Sequence, residues 1–142
     1  MSKSESNACV TIDLDGDKPS GELAWFQPAM LISGIVEIIP RENMECRAIL
    51  IQLKWFTCGR GEMDEEIVSE KKFHPAGLIA EMSMRESFSF MLPAKPWSFH
   101  GHYIDLVWAI AVKIELPFRT DVETIQVFVM SPEEEAVQIV SG

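Results

Sequence analysis

The chain lacks several things, and each shortage closes off a class of protein. Basic residues are scarce: 12 lysines and arginines stand against 22 aspartates and glutamates, a formal charge of −10. So acidic a chain has little material for the basic face that nucleic acid or an anionic membrane requires. Cysteine is rare, and Cys9, Cys46 and Cys58 form an odd set without a CxxC spacing. Reduced thiols in a cytoplasmic protein are the expectation, with one disulfide and a leftover thiol as the alternative. Long apolar runs are missing as well. The longest apolar region, 23–39, is broken by Gln27, Pro28, Ser33, Gly34 and Glu37, too often for a membrane-spanning helix. Residues 1–9 have neither an apolar core nor a small-residue cleavage site, so no secretory leader is expected. A serine nucleophile elbow, a dinucleotide-binding glycine run and a phosphate loop are absent too.

What is present is a globular composition with a period of two. The 142 residues are 47% hydrophobic, and a chain of this size buries roughly two-thirds of its unfolded surface without a disulfide or metal staple. Val10, Ile12 and Leu14 alternate with Thr11 and Asp13, as in a strand with one buried face. Residues 15–21 read as a turn-rich loop. Leu31 to Ile39 is a second strand, with Gly34 as a bulge candidate and Pro40 as the stop. Ile49, Ile51, Leu53 and Trp55 share a face of a third, which ends at the Cys58-Gly59-Arg60-Gly61 turn. The charged stretch 62–72 suits a solvated hairpin arm better than a helix. Phe88, Phe90 and Leu92 mark another strand, and Pro93 and Pro96 force an extended connection after it. Tyr103 to Leu116 is the longest strand, and Ala109 and Ala111 at its middle predict cover on both faces. Ile125, Val127 and Val129 form the last. Ser131-Pro132-Glu133-Glu134 carries the signature of a helix start.

Several short strands with turn signals between them predict an all-β fold: one antiparallel β-sandwich with little or no helix. The expected boundaries are a disordered segment over 1–8, the sandwich over 9–131, and a short helix or frayed tail over 132–142.

Two stretches resemble a known family. Leu92-Pro93, then Pro96-Trp97-Ser98-Phe99-His100-Gly101, run straight into a long alternating strand, as in the arrestin N-terminal domain. Upstream, Pro19-Ser20-Gly21-Glu22 and the strand from Ser33-Gly34 are similar to that family's proline-glycine-glutamate turn and glycine-started second strand. The resemblance spans about Cys9 to Met130. It implies an immunoglobulin-like sandwich that acts as an adaptor or scaffold without chemistry of its own. Leu92, Pro93, Pro96, Ser98, Phe99 and Gly101 are its family-motif residues. Arrestins join two such domains, whereas this chain has length for one.

Each chemically suggestive cluster has a plainer reading beside it. Asp13, Asp15 and Asp17 alternate as calcium ligands do, but Lys18 and Ala24 stand where an EF-hand needs glycine and glutamate. His100 and His102 would face the same side of an extended strand, and with His74 they would make three imidazoles for zinc or copper. Packing at the strand entrance is the plainer role, so no metal and no cofactor are assigned. Cys58 beside Arg60 suggests an activated nucleophile but has no identifiable base, so no catalytic residue is assigned and no enzyme is expected. Binding fits better. Sandwich edges recruit strands from partner proteins or from a second copy, which predicts a homodimer through a sheet edge. Trp25, Phe26, Met30 and Leu31 form an apolar segment that marks a partner contact if it is exposed and core if it is not. Protein partners are expected, with no nucleic acid and no integral membrane segment. The alternative function is a small-molecule or metal-binding sandwich using His100 and His102.

Overall fold

The computed structural model of the chain describes residues 2–4, 8–15, 23–61 and 63–132. Among these there is no helix. The strands are β1 (Ser2–Ser4), β2 (Ala8–Leu14), β3 (Trp25–Phe26), β4 (Leu31–Pro40), β5 (Ala48–Gly59), β6 (Glu65–Phe73), β7 (Met84–Met91), β8 (Phe99–His100), β9 (Ile104–Glu115) and β10 (Val122–Met130). They form two sheets, one ordered β1-β2-β4-β7 and the other β3-β10-β9-β5-β6, with β8 added onto β9. All pairings are antiparallel except that of β3, which runs parallel to β10 through Trp25 opposite Val129 and Phe26 opposite Met130.

Alternation explains which face each strand buries. Val10, Ile12 and Leu14 of β2, Ile32, Val36 and Ile38 of β4, and Phe88 and Phe90 of β7 point inward from the smaller sheet. They meet Ile49, Ile51 and Leu53 of β5 and Leu106 through Ile114 of β9, taken at every second residue. Each fully buried side chain of this size contributes about 1.5–3 kcal/mol. Trp108, with no exposed surface, sits at the centre beside Phe128, whose ring meets Phe26 edge-on at 5.4 Å.

The outer face at mid-β9 is covered, as the alanines predict, but by its neighbours in the plane. Gln52 and Lys54 on β5 lie beside Ala111 and Ala109, and both reach over to carboxylates: Gln52 Nε2 donates to Glu70 at 2.9 Å and Lys54 Nζ to Glu65 at 3.0 Å. Inside, two polar residues interrupt the apolar pattern of β10. Thr124 and Gln126 point inward, and Thr124 Oγ1 and Gln126 Oε1 have no hydrogen-bond partner among the described residues.

Some expectations change. Residues 2–4 of the stretch expected to be disordered pair with β2, Lys3 opposite Thr11, and β2 already begins at Ala8. Gly34 is no bulge, because its register runs unbroken between Leu14 and Phe88. A Cβ there would stand 2.3 Å from the Asp13 carbonyl oxygen, so close backbone approach requires glycine. The register shift falls at Leu53/Lys54 instead. The 62–72 stretch supplies strand β6. The loop at 16–22, with the Pro19-Ser20-Gly21-Glu22 turn, and the terminal helix or tail from 133 onward lie outside the described residues.

The sandwich has two ends. At the connector end lie the turns 27–30 and 60–61, residues 63–64 and the connection 92–103. At the hairpin end lie the loops 41–47, 74–83 and 116–121.

Candidate functional site

The family-motif residues serve as stitching. Leu92 is buried in the core, and its N–H donates to the Met30 carbonyl at 2.8 Å, while the Pro93 carbonyl accepts Ala29 N–H. The Pro96 carbonyl accepts the indole N–H of Trp108 at 2.8 Å. Ser98 bonds Met130 twice, N–H to carbonyl at 2.9 Å and, through Oγ, from the Met130 N–H at 3.0 Å. Gly101 donates to the Ile104 carbonyl, and a Cβ on it would lie 2.6 Å from that oxygen, so the turn into β9 needs glycine. The motif therefore laces the connection across the end of the sandwich, from the β4–β7 edge to β10.

Beneath this connection, on the outer face of the larger sheet, lies a recess of about 390 Å³. Its walls are mostly apolar: Leu23, Phe56, Phe99, Val107, Val127 and Val129. At its rim His100 Nδ1 lies 2.7 Å from Asp105 Oδ1, a contact that orients the imidazole. Volume and lining match the lower range of small-molecule sites.

The rim does not assemble a nucleophile. Cys58 on β5 and His100 on β8 are both register partners of Asp105 on β9. The row thus reads Cys58, Asp105, His100, with the carboxylate in the middle. Two strand spacings put the imidazole about 10 Å from the thiol, whereas a carboxylate-oriented base has to stand between acid and nucleophile. Arg60 is engaged elsewhere, its guanidinium over the Tyr103 ring at 5.7 Å. Gly59 is glycine because its backbone (φ +141°) is left-handed and a Cβ would meet the Tyr103 carbonyl oxygen at 2.2 Å.

The three histidines do not converge. His74 accompanies the hairpin end, 3.0 Å from the Arg47 carbonyl oxygen. The chain turns at Gly101, so His100 and His102 do not share one strand face, and His102 packs edge-on against Tyr103 at 4.6 Å. Among the described residues no group of three or more His, Cys, Asp or Glu could hold a metal ion. Asp15 accepts the Ser33 hydroxyl at 2.7 Å; Asp17 lies outside the described residues.

The apolar segment divides. Phe26, 8% exposed, belongs to the core, and Trp25 Nε1 donates to Ser131 O at 3.1 Å. Met30 and Leu31 are exposed, and Leu31 is the register partner of Met91; Leu31 is 55% and Met91 61% exposed. Of thirteen large apolar side chains exposed among the described residues, eight gather at the connector end: Leu23, Met30, Leu31, Met63, Met91, Trp97, Phe99 and Tyr103. Met91 is not among the contact residues expected from the sequence, although the alternation of Phe88, Phe90 and Leu92 with Ser87, Ser89 and Met91 already turns it outward.

Two packed sheets joined by this laced connection are an arrestin-like β-sandwich. Among solved structures, the chain is similar to Spo0M, the sporulation control protein from Bacillus subtilis, at a TM-score of 0.67 and 13% sequence identity. The likeness covers 94% of this chain and 53% of that one, so the chain spans about half the length of Spo0M. The sequence itself matches no described protein family and no curated protein.

Proposed function

We propose that the chain is a non-enzymatic protein-interaction module, an adaptor or scaffold of the cytoplasm, that docks protein partners on its connector end and forms a homodimer. The carrying observation is the gathering of exposed Met30, Leu31, Met91, Trp97, Phe99 and Tyr103 on loops and strand ends whose backbone is tied down. Aromatic side chains on a fixed backbone make binding anchors, and methionines adapt to the shape of a partner. Three free cysteines accord with a reducing compartment. The acidic chain favours protein partners over nucleic acid and membranes.

The test is a double substitution, Leu31→Ser with Met91→Ser. Both side chains are exposed, so the fold should keep its melting temperature. Proteins cross-linked to the wild-type chain in its native cell are expected to be lost from the variant. An identical set from both chains would remove the connector end from the reading.

The sheet edges at β6 and β7 are poor routes to the homodimer. Strand β6 carries Glu65, Glu66, Glu70, Lys71 and Lys72, and Lys71 Nζ donates to the Ser87 carbonyl of edge strand β7 at 2.8 Å. Charges so placed blunt an edge.

The recess beside His100 favours a second reading, in which the sandwich binds a small apolar molecule with a polar group that the imidazole holds. Val127→Trp would fill it. An apolar fluorescent probe should brighten with the wild type and not with the variant; equal brightening would end this reading.

A further inference from the structure

The β9–β10 hairpin turns through Pro117 and Phe118. Proline fixes the first corner of the turn, and in this turn the next residue takes a left-handed backbone, which glycine or asparagine does most readily. Here a phenylalanine does it, with φ +61°. Its side chain is 97% exposed, so packing within the chain does not offset the conformation. The turn is nevertheless held firmly. Leu116 N–H donates to Asp121 Oδ1 at 3.2 Å, Lys113 stands 3.7 Å from the other carboxylate oxygen, and Arg119 pairs with Glu42 of the neighbouring loop. Phe118 is thus an apolar knob standing on a held turn.

Beside the knob lies a hole. A recess of about 240 Å³ opens between Asn43, Met44 and Glu45 on one side and Pro117, Phe118 and Arg119 on the other. Its Met44 wall is buried and rigid, because Met44 exchanges two backbone hydrogen bonds with Leu78, each 2.9 Å. The Asn43 side chain also accepts Ala80 N–H at 2.8 Å. A knob and a hole side by side on one surface are what a two-fold interface uses, since each copy then offers both halves of the contact.

Charge points to the same occupant. Two copies with a formal charge of −10 repel each other over most of their surface. At the hairpin end, however, the loops carry Arg41, Arg47 and Arg119 against Glu42, Glu45, Glu81 and Asp121, a net charge of only −1. Arg119, which already pairs with Glu42 of its own chain, can there face Glu45 of the other copy as well.

We propose that the hairpin end is the self-association surface of this protein: a second copy docks on it about a two-fold axis, and each Phe118 enters the recess beside Met44 of its partner. The inference rests on the homodimer named under Proposed function and moves its interface from the sheet edges to this end. It leaves the connector end free for other proteins.

Sedimentation across the micromolar range tests it. The wild-type chain is expected to dimerise, and Phe118→Asn to weaken the dimer at least about tenfold. Asparagine accepts the left-handed backbone, so the variant's melting temperature should be unchanged or higher. The Arg119→Glu and Glu45→Arg variants should each weaken the dimer alone. A mixture of the two should dimerise again, because only the contact between copies then regains opposite charges; this keeps the test decisive if Phe118→Asn folds poorly. A wild-type chain that stays monomeric overturns both the homodimer and this surface. A dimer untouched by Phe118→Asn and Arg119→Glu overturns this surface alone.

Discussion

The two ends of the sandwich solve the same problem, closing a layered β structure, with opposite materials. At the connector end the loops are apolar on the outside and tied by backbone and indole hydrogen bonds: Ser98 to Met130, Pro96 to Trp108, Leu92 to Met30. At the hairpin end the loops are charged, and side chains do much of the tying: Arg119 to Glu42, Asn43 to Ala80, Asp121 to Leu116. The difference teaches where exposed apolar surface is tolerable. An end fixed through its backbone keeps its shape whichever side chains it displays, so eight exposed apolar groups can stand there without collapsing onto one another. The hairpin end has backbone ties as well, Met44 with Leu78 and Glu81 to Pro40, but it also spends side chains on structure and displays fewer apolar ones.

The largest expected effect comes from cutting the strongest of these ties. Trp108→Ala removes the largest fully buried side chain, at a cost of about 3–5 kcal/mol, and leaves the Pro96 carbonyl without its indole donor, about 1 kcal/mol more. Denaturant unfolding measures the sum. Amide exchange measures the asymmetry: Ser98 should exchange faster relative to the global rate, while Leu78 N–H, bonded to Met44, should follow the global rate alone. Equal acceleration at both ends would mean that the ends are not independently tied. Next in size is Gly59→Ala. The left-handed backbone and the 2.2 Å approach of its Cβ to the Tyr103 carbonyl oxygen should together cost about 2–4 kcal/mol. A loss below about 1 kcal/mol would show that the β5 end yields easily and is looser than its hydrogen bonds suggest.

Much of this architecture was legible in the residues. Strict alternation placed β2, β4, β5, β7, β9 and β10 within a few residues, because with one face buried a one-residue slip would turn the whole apolar set outward. Ala109 and Ala111 correctly foretold a covered outer face, though not that Gln52 and Lys54 would do the covering, since cross-strand neighbours depend on register. The candidate site was legible in part. Sequence spacing put His100 and His102 on one strand and could not see the turn that Gly101 makes between them. It grouped Trp25 and Phe26 with Met30 and Leu31 as one apolar run, yet β3 pairs with β10, which puts Phe26 in the core and ties Trp25 to Ser131. Gly34 and Gly59 are alike in sequence and differ in reason, close packing against Asp13 in one and a left-handed backbone in the other. Such reasons belong to tertiary approach, which no local pattern encodes.

The smallest expected effect falls at the hairpin end, where Cys46 reports on how closed that end is. Burial pushes its thiol above the ordinary range, and the nearby Glu115 carboxylate pushes the same way. A folded thiol that holds its proton to higher pH than the unfolded one leaves stability level below the unfolded value and lowers it as pH rises through the folded value. The wild-type melting temperature should therefore fall slightly more than that of Cys46→Ala as the pH is raised from about 7 to about 10. Alkylation gives the kinetic counterpart. Because the thiolate is the reactive form, Cys46 in the native chain should react more slowly than in the unfolded chain at the same pH. If native Cys46 reacts as fast as the unfolded thiol, the loop 41–47 opens on the timescale of the reagent. The hairpin end would then be the looser of the two, and the recess beside Met44 would not hold a fixed shape for a partner's Phe118.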